Sequence, residues 1–382
     1  MLTACFLIFI IIWSLFFRNS KLLNGILVFT LFVLFAFERS DEDYQSYLSA
    51  YNSVGRGSVF ELLGYEPSFF LFCTVGNKYN LSFDFARGII CVIEILAIVS
   101  TIRLFTNKIA MVLSLFLIFP AMFDTELFRW LAGMCLVIFA FPYLIRGANK
   151  YDYIMYGGLV ILATSLHTSC IFFLFYLMMI LKNEKMIIII VLTIFLVGVW
   201  ASQTSLLYTI LSVMPINADL MDKFQEQEQS NIFGVLALFL KSVPIFVIGF
   251  LAYAKWKNNR PLNTDLISNY KIIFSRGEIS YMGTLLLSKI FIINIITLLL
   301  VMLSIYTPQT QRLFHVVLFF NYIAIVYVSG QKKWRLGIFC TFVMSILLLL
   351  AMLYLSSKGT MPVFLSHFKE GFFVNFFQTI EN

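Results

Sequence analysis

Charged residues are scarce in this sequence. Only 12% of its 382 residues are Asp, Glu, Lys or Arg, whereas 60% are hydrophobic and the mean hydropathy is +0.91. Soluble domains contain about 25% charged residues, so the composition excludes a soluble protein and indicates a polytopic membrane protein. The net charge of +7 does not indicate a nucleic-acid partner, because the basic residues form short clusters between apolar runs, as membrane orientation requires.

Signatures of metal and nucleotide sites are also missing. The six cysteines form no CxxC pair and lie mostly inside apolar runs, so neither a disulfide framework nor a zinc site is expected. No two of the three histidines have the spacing of metal ligands, and the DxD form of residues 41–43 is too short to predict a metal site by itself. No P-loop, dinucleotide-binding glycine motif or nucleophile elbow is present. We therefore expect no cofactor, no metal and no nucleotide-sugar donor.

Long apolar runs fill most of the chain. A membrane span needs about 20 apolar residues, and cytoplasmic loops are enriched in Lys and Arg, so the sequence predicts an all-α fold of about 12 transmembrane helices with both termini outside. The first run lacks a basic leader and a cleavage site, which favours a retained span over a signal peptide. The predicted spans lie near residues 1–17, 22–37, 85–102, 109–123, 127–145, 153–181 (a pair), 186–201, 232–254, 282–305, 313–329 and 336–355.

The segment 153–181 has two possible topologies. It is too long for one ordinary span and too short for two comfortable ones. A single span would place the basic loop 255–278 outside and the acidic run 219–228 inside, against the positive-inside rule. Two short tilted helices that turn at His167 satisfy the rule, so the sequence predicts a hairpin here.

The predicted topology is that of a single membrane domain over residues 1–382. It has an outer loop at 38–84, a second outer loop at 202–231 that contains a short surface helix, and a cytoplasmic loop at 255–281. Seven of the 20 acidic residues fall within 38–84. Such crowding in a chain with few charges predicts that the first outer loop carries the chemistry, at the outer surface of the membrane.

Three arginines are the first candidates for that site. Arg87, Arg129 and Arg312 all lie at or near the predicted outer face, and a charge at membrane depth usually faces a cavity or a partner. A guanidinium group suits a phosphate because its charge is permanent and its donors form a planar fork. The alternatives are that the arginines extend to the lipid headgroups, or that Arg129 pairs with Glu126, three residues earlier on the same helical face.

Tyrosines and a carboxylate follow helical spacing in the first outer loop. Tyr44, Tyr47 and Tyr51 have the i, i+3, i+7 spacing of one helix face. Asp43 precedes Tyr47 by four residues, on the same face. Aromatic rings beside a carboxylate can hold a sugar, and the alternative is an interfacial aromatic belt.

Two residues join Asp43 as candidates for a general base. Glu66 precedes a proline that favours the first position of a helix, so it is either a catalytic carboxylate or a helix cap. His167, at the predicted outer turn, is either a base that titrates near neutral pH or a hydrogen-bonded cap. The remaining histidines, His315 and His367, have weaker contexts.

These motifs together resemble a known family. The sequences DEDYQSYLSAYN and GYEPSFFLF, the arginine of FDFAR, the FRWLAGMCL helix, the SLHTS turn and the QRLFHVV segment resemble the EpsG-type membrane proteins of exopolysaccharide synthesis, which are related to the Wzy polymerases of O-antigen and capsule. The resemblance covers residues 38–180 and resumes near residue 312. It implies a multi-span glycosyltransferase of the C type in the bacterial cytoplasmic (inner) membrane, active at the periplasmic or outer face.

The resemblance also implies a reaction. A growing glycan would move from undecaprenyl pyrophosphate to the non-reducing-end sugar of a lipid-linked repeat unit, with inversion at the anomeric carbon. Arginines would bind the pyrophosphate, a base would take the proton of the acceptor hydroxyl, and a carboxylate with its tyrosines would hold the sugar. The residues expected in these roles are Arg129 and Arg312 with Arg87 in support, Glu66 or His167, and Asp43 with Tyr44 and Tyr47. The expected partners are the lipid-linked oligosaccharide, membrane lipid and, as a candidate, a chain-length regulator.

Two other functions stay open beside the polymerase. A ligase would move a finished glycan from the same carrier to another lipid acceptor, and would need the same pyrophosphate site and base. A flippase or transporter of lipid-linked oligosaccharides would have a similar number of spans, but its charges would line both faces or the midplane of the cavity. A purely structural subunit gives no reason for charges to collect on one side, so the polymerase is the expected function.

Overall fold

All regular structure in the described part of the chain is helical. The computed structural model describes residues 9–10, 12–14, 17, 20–37, 42–54, 66–121, 124, 127–202, 246–247, 249–254, 257, 276–306 and 308–329. The named helices, in chain order, are α1 (Lys21–Phe37), α2 (Glu42–Val54), α3 (Pro67–Lys78), α4 (Phe83–Phe105), α5 (Ile109–Phe116), α6 (Phe128–Arg146), α7 (Lys150–Leu166), α8 (Glu184–Ser202), α9 (Arg276–Tyr306) and α10 (Phe314–Ser329). A π-helical turn (Leu117–Ala121) extends α5, a 3₁₀ helix (Thr168–Leu181) follows α7, and a 3₁₀ turn (Pro308–Leu313) precedes α10.

The all-helical membrane class predicted from the sequence is confirmed. Within the described ranges, four helices are long and apolar enough to cross a membrane: Phe83–Phe105, Phe128–Arg146, Glu184–Ala201 and Tyr281–Ser304. Three shorter apolar helices lie at Lys21–Phe37, Thr168–Leu181 and Phe314–Val328. Each of these helices overlaps a predicted span. The total of 12 spans, the single-domain organisation and the glycosyltransferase-C-like fold stay predictions.

Some predicted features fall outside the described residues. They are the span 336–355, the greater part of the span 232–254, most of the loops 202–231 and 255–281, and the side chains of Glu38, Asp41, Glu61, Glu126 and His367.

The predicted hairpin has its break at His167. Helix α7 ends there because the backbone of His167 is extended, with φ −152° and ψ 119°. The imidazole Nδ1 then accepts a hydrogen bond from the amide of Ser169 at 3.3 Å, which starts the 3₁₀ helix. The cap predicted as one alternative for His167 is therefore present. Helix α6 packs closely against this turn, since a Cβ on Gly133 would lie 2.8 Å from the sulfur of Cys170.

The centre of the bundle is held by aromatic packing and one amide pair. Phe141 of α6 stacks on Phe320 of α10 with ring centroids 4.6 Å apart. Asn294 of α9 and Asn321 of α10 exchange two hydrogen bonds, at 3.0 and 2.9 Å, and both side chains are buried. Small and hydrogen-bonding groups are what bring helices together in lipid, where apolar burial gives little preference.

A second, smaller cluster places α2 and α3 beside the ends of α4 and α6. Its members are Tyr44, Tyr47, Ala50, Tyr51, Phe69, Cys73, Phe83, Ala86 and Phe128. Tyr51 donates to the carbonyl of Leu81 at 2.9 Å, and Asn77 donates to the carbonyl of Tyr51 at 2.7 Å. Gly76 makes room for the Tyr51 ring, because a Cβ there would lie 2.0 Å from the phenol oxygen. The cluster therefore fixes the two short helices that carry the candidate site.

Candidate functional site

Arg129 and Glu66 form an ion pair at the centre of the candidate site. Arg129 lies in the first turn of α6, and its Nη1 donates to Oε2 of Glu66, the residue that precedes α3. The guanidinium carbon lies 5.2 Å from the ring centroid of Tyr47 and 5.4 Å from that of Phe69. Two aromatic faces and one carboxylate thus hold the guanidinium group in place.

This pair changes two sequence-based interpretations. Glu66 occupies the N-cap position of α3, yet its side chain makes no capping hydrogen bond. Glu66 is therefore at the predicted cap position of α3, but its carboxylate faces Arg129. The partner of Arg129 that the structure shows is Glu66, which is 63 positions away in sequence, and Glu126 is outside the described residues.

His167 lies near Glu66, and Arg312 lies near His167. The hydroxyl of Thr168, next to His167, is 3.5 Å from Oε1 of Glu66, and Ser165 and Ser68 are joined at 2.5 Å, which links α7 to α3. Burial lowers the pKa of His167 to about 4, and the nearby cations of Arg129 and Arg312 act in the same direction, against the carboxylate of Glu66. His167 is therefore neutral at pH 7.

Four predicted residues from distant parts of the chain thus meet in one place. Arg129, Glu66 and His167 come from the starts of α6 and α3 and the end of α7. Arg312 belongs to the 3₁₀ turn before α10 and lies close enough to affect the protonation of His167.

Arg87 lies in a neighbouring layer behind the aromatic cluster. It is only 3% exposed, with its guanidinium carbon 6.0 Å from the ring of Tyr44 and 5.9 Å from that of Phe128. Tyr44 in turn donates to Asp84 at 2.9 Å. Arg87 is therefore buried inside the protein, so the alternative in which it extends to lipid headgroups is wrong.

The tyrosines of α2 share one face, as their spacing predicts. Tyr44, Tyr47 and Tyr51 are 7%, 7% and 2% exposed, and they pack into the aromatic cluster. Asp43 is half-buried and lies near Tyr47, one turn along the helix. In this arrangement the rings of Tyr44 and Tyr47 pack against the guanidinium groups of Arg87 and Arg129. Their role in holding a sugar stays a prediction.

A buried Asp–His pair lies beside this site, and the sequence context of His315 did not predict it. His315 Nδ1 lies 2.8 and 3.0 Å from the two carboxylate oxygens of Asp124, which also accepts from Trp130 Nε1 at 3.0 Å. Asp124 is fully buried and His315 is 8% exposed. An ionised carboxylate only accepts, so Nδ1 is the donor in this pair. The indole of Trp130 also packs edge-on against His167 at 5.4 Å, which joins the pair to the site.

Two residues that were not predicted to be functional, His315 and Glu94, have weak signals in the sequence. His315 follows Arg312 by three residues, the spacing of one helical face. Glu94 is a lone acid within the apolar run of α4, and the structure buries it to 3% exposure. An acid inside a span is by default a candidate functional residue. Among the described residues, no group of three His, Cys, Asp or Glu side chains could hold a metal ion.

The fold and site define a polytopic helical membrane protein with a cluster of arginine, carboxylate and imidazole groups at one end of its bundle. The chain belongs to the EpsG family, whose family model matches residues 21–365. This confirms the resemblance seen in the short motifs, and it makes the chain a polysaccharide-polymerase-like membrane protein of glycosyltransferase type that acts on a lipid-linked glycan. No match was found among curated proteins or among solved structures.

Proposed function

We propose that this protein is a polysaccharide polymerase of the bacterial cytoplasmic membrane. It transfers a growing glycan from undecaprenyl pyrophosphate to the non-reducing-end sugar of a lipid-linked repeat unit at the outer face. Membership of the EpsG family supports the polymerase. The single observation that carries the mechanism is the meeting of Arg129, Glu66, His167 and Arg312 in one cluster.

The leaving group is the diphosphate, and two arginines suit it. Arg129 and Arg312 provide permanent positive charge and forked donors, so they stabilise the charge that develops on the departing oxygen without a general acid. Arg129 also lies in the first turn of α6, whose N-cap residue Leu127 makes no side-chain capping bond. The positive end of that helix adds to the attraction for an anion.

The ion pair provides a way to couple binding to base formation. In the structure, the guanidinium group of Arg129 is paired with Glu66. A diphosphate that takes the guanidinium group displaces the carboxylate, which is then free to accept the proton of the acceptor hydroxyl. The acceptor oxygen forms the new bond to the anomeric carbon as the bond to the diphosphate oxygen breaks and its electron pair leaves with the diphosphate. One displacement inverts the anomeric carbon.

Glu66 is the base that the geometry supports best. It lies between Arg129 and Thr168, at the centre of the cluster. His167 is a weaker base than an ordinary histidine, because its pKa is lowered to about 4. His315 is a third candidate, since Asp124 holds its ring in place through Nδ1. Asp43, with Tyr44 and Tyr47, is the proposed contact to sugar. Arg87 supports the rings of Tyr44 and Phe128.

The test is polymerisation by the purified protein. Incubation with lipid-linked repeat units should give a ladder of products on a gel, and Arg312→Ala and Glu66→Ala should abolish the ladder. The matched control is Lys185→Ala, which removes an exposed charge from the start of α8 and should leave the ladder unchanged. A wild-type protein without a ladder contradicts the polymerase, whereas ladders from both site variants contradict the site.

A deletion strain separates the polymerase from the ligase that would use the same carrier. Loss of the polymerase leaves single repeats attached to the final acceptor, whereas loss of a ligase leaves unattached polymer. Labelling of cysteines introduced at positions 167 and 312 tests for a transporter. A transporter requires both positions to be labelled from the cytoplasm.

A further inference from the structure

A groove lies between α1, α4 and the start of α5, away from the candidate site. Its volume is about 720 Å³. The residues that line it are Lys21, Asn24, Gly25, Val28, Val99, Arg103, Asn107 and Ile109. We call it the basal groove. None of the functions proposed above uses these residues.

The basal groove is at the opposite end of the bundle from the candidate site. Arg103 follows Arg87 by 16 residues in α4, which is about 24 Å at about 1.5 Å per residue. The hydrocarbon core of a bilayer is about 30 Å thick. A groove at this end of α4 therefore lies near the membrane surface opposite the candidate site.

The rim of the basal groove is positively charged. Lys21 and Arg103 are exposed, and the lining contains no acidic side chain. Asn24 adds an unusual acceptor, because its side-chain oxygen is buried and has no hydrogen-bond partner in the described part of the chain. A buried amide oxygen without a donor costs about 1–3 kcal/mol, so a ligand that offers a hydroxyl group is favoured.

The depth of the basal groove is apolar. Val28 lies two turns further into α1 than Lys21, and Val99 lies one turn further into α4 than Arg103. The neighbouring side chains Phe29 and Leu96 are 48% and 62% exposed, as expected for a surface that faces lipid. Charge at the rim with apolar walls below matches a molecule with an anionic head and a hydrocarbon tail.

We propose that the basal groove binds an anionic glycerophospholipid with a hydroxylated headgroup, such as phosphatidylglycerol. The lipid phosphate pairs with Lys21 and Arg103, a headgroup hydroxyl donates to the side-chain oxygen of Asn24, and the start of an acyl chain lies along Val28 and Val99. Basic pockets between helix ends at a membrane surface hold anionic headgroups by the same physics.

The test measures lipid retained by the purified full chain, by native mass spectrometry after exchange into mixed micelles with phosphatidylglycerol or phosphatidylcholine. The wild type should retain phosphatidylglycerol and not phosphatidylcholine. Lys21→Gln with Arg103→Gln should weaken retention about 30-fold, since each basic residue near an anionic headgroup contributes about fivefold. The matched control, Lys150→Gln with Lys185→Gln, removes the same charge from exposed positions elsewhere and should retain phosphatidylglycerol as the wild type does.

Asn24→Leu tests the hydroxyl contact separately. It should weaken retention of phosphatidylglycerol and leave retention of phosphatidic acid, which has no glycerol headgroup, unchanged. Equal retention of phosphatidylcholine and phosphatidylglycerol by the wild type would overturn the proposal, as would equal loss in the control double variant. Displacement of phosphatidylglycerol by millimolar inorganic phosphate would show a free-phosphate site and would also overturn it.

Discussion

The two arginines at the ends of α6 have opposite surroundings. Arg146 is in the last turn, where a cation is favoured by the helix dipole, and it pairs with Asp152 only six residues away. Arg129 is in the first turn, where the dipole disfavours a cation, and its partner Glu66 comes from another helix. The position of Arg146 is explained by folding alone. Arg129 lies where the helix dipole opposes a cation and pairs with a distant carboxylate, which is typical of a residue kept for function.

The ion pair between Arg146 and Asp152, at the end of α6, has a structural role. Asp152 is buried and accepts from Arg146 Nε at 2.8 Å and from the amide of Ala148 at 2.9 Å. Lys289 of α9 donates to the carbonyl of Ile145 at 2.6 Å. All of these bonds satisfy groups at the end of α6. The comparison teaches that two properties separate a structural charge from a functional one in a membrane bundle. They are its position along the helix and its distance in sequence from its partner.

Replacing Arg129 is expected to have the largest effect on activity. Arg129→Ala removes a donor to the departing diphosphate, so the polymerisation rate should fall about 100- to 1,000-fold. Arg129→Lys keeps the charge without the fork and should recover part of the rate. The measurement is the initial rate of ladder formation. An alanine variant with the wild-type rate would remove the distinction between the two ends of α6.

Replacing Arg146 should act on stability instead. Arg146→Ala leaves the buried carboxylate of Asp152 without its cation, which costs about 3 kcal/mol. Thermal unfolding in detergent measures the loss, and the protein that remains folded should polymerise at the wild-type rate. The double change Arg146→Ala with Asp152→Asn is the control, because it removes the uncompensated charge and should recover stability. A loss of rate without a loss of stability would contradict the structural role.

The free energy of unfolding should depend on pH through the titration of His167. Its pKa is about 4 in the folded protein and 6.5 ordinarily, so the unfolded chain binds the proton first as the pH falls. Its contribution to the free energy of unfolding is therefore complete above pH 6.5 and is lost progressively down to about pH 4. His167→Gln should flatten the pH dependence of thermal unfolding in this window. A slope identical to that of the wild type would show that His167 is not buried as described.

The tyrosines beside the two arginines give the smallest expected effects. Tyr47 lies 5.2 Å from the guanidinium carbon of Arg129, and Tyr143 lies 5.3 Å from that of Arg146. Tyr47→Leu should lower the polymerisation rate about threefold, the size of a partly exposed cation–π contact. Tyr143→Leu is the matched control and should leave the rate unchanged. Equal effects on the rate would mean that the ring holds no catalytic arginine in place.

Much of the fold could be predicted from the sequence, and less of the site. Every described apolar helix overlaps a predicted span, and the turn at His167 was predicted from the length of the segment 153–181 and the positive-inside rule. The convergence of Glu66, Arg129, His167 and Arg312 agrees with the predicted clustering at one face. The contact of Arg129 with Glu66 and that of His315 with Asp124 were not predicted. Both contacts join residues far apart in the chain, on which local spacing has no bearing.

The sequence by itself determined that the chain is a helical membrane protein, because apolar runs in hydrocarbon must satisfy their backbone groups internally. Its motifs also determined the family. Only the tertiary structure decided which scarce charges meet. Asp124 and His315 are 191 positions apart, and their contact depends on how the segment before α6 packs against α10. That packing follows from the shapes of many side chains at once, which no single stretch of sequence contains.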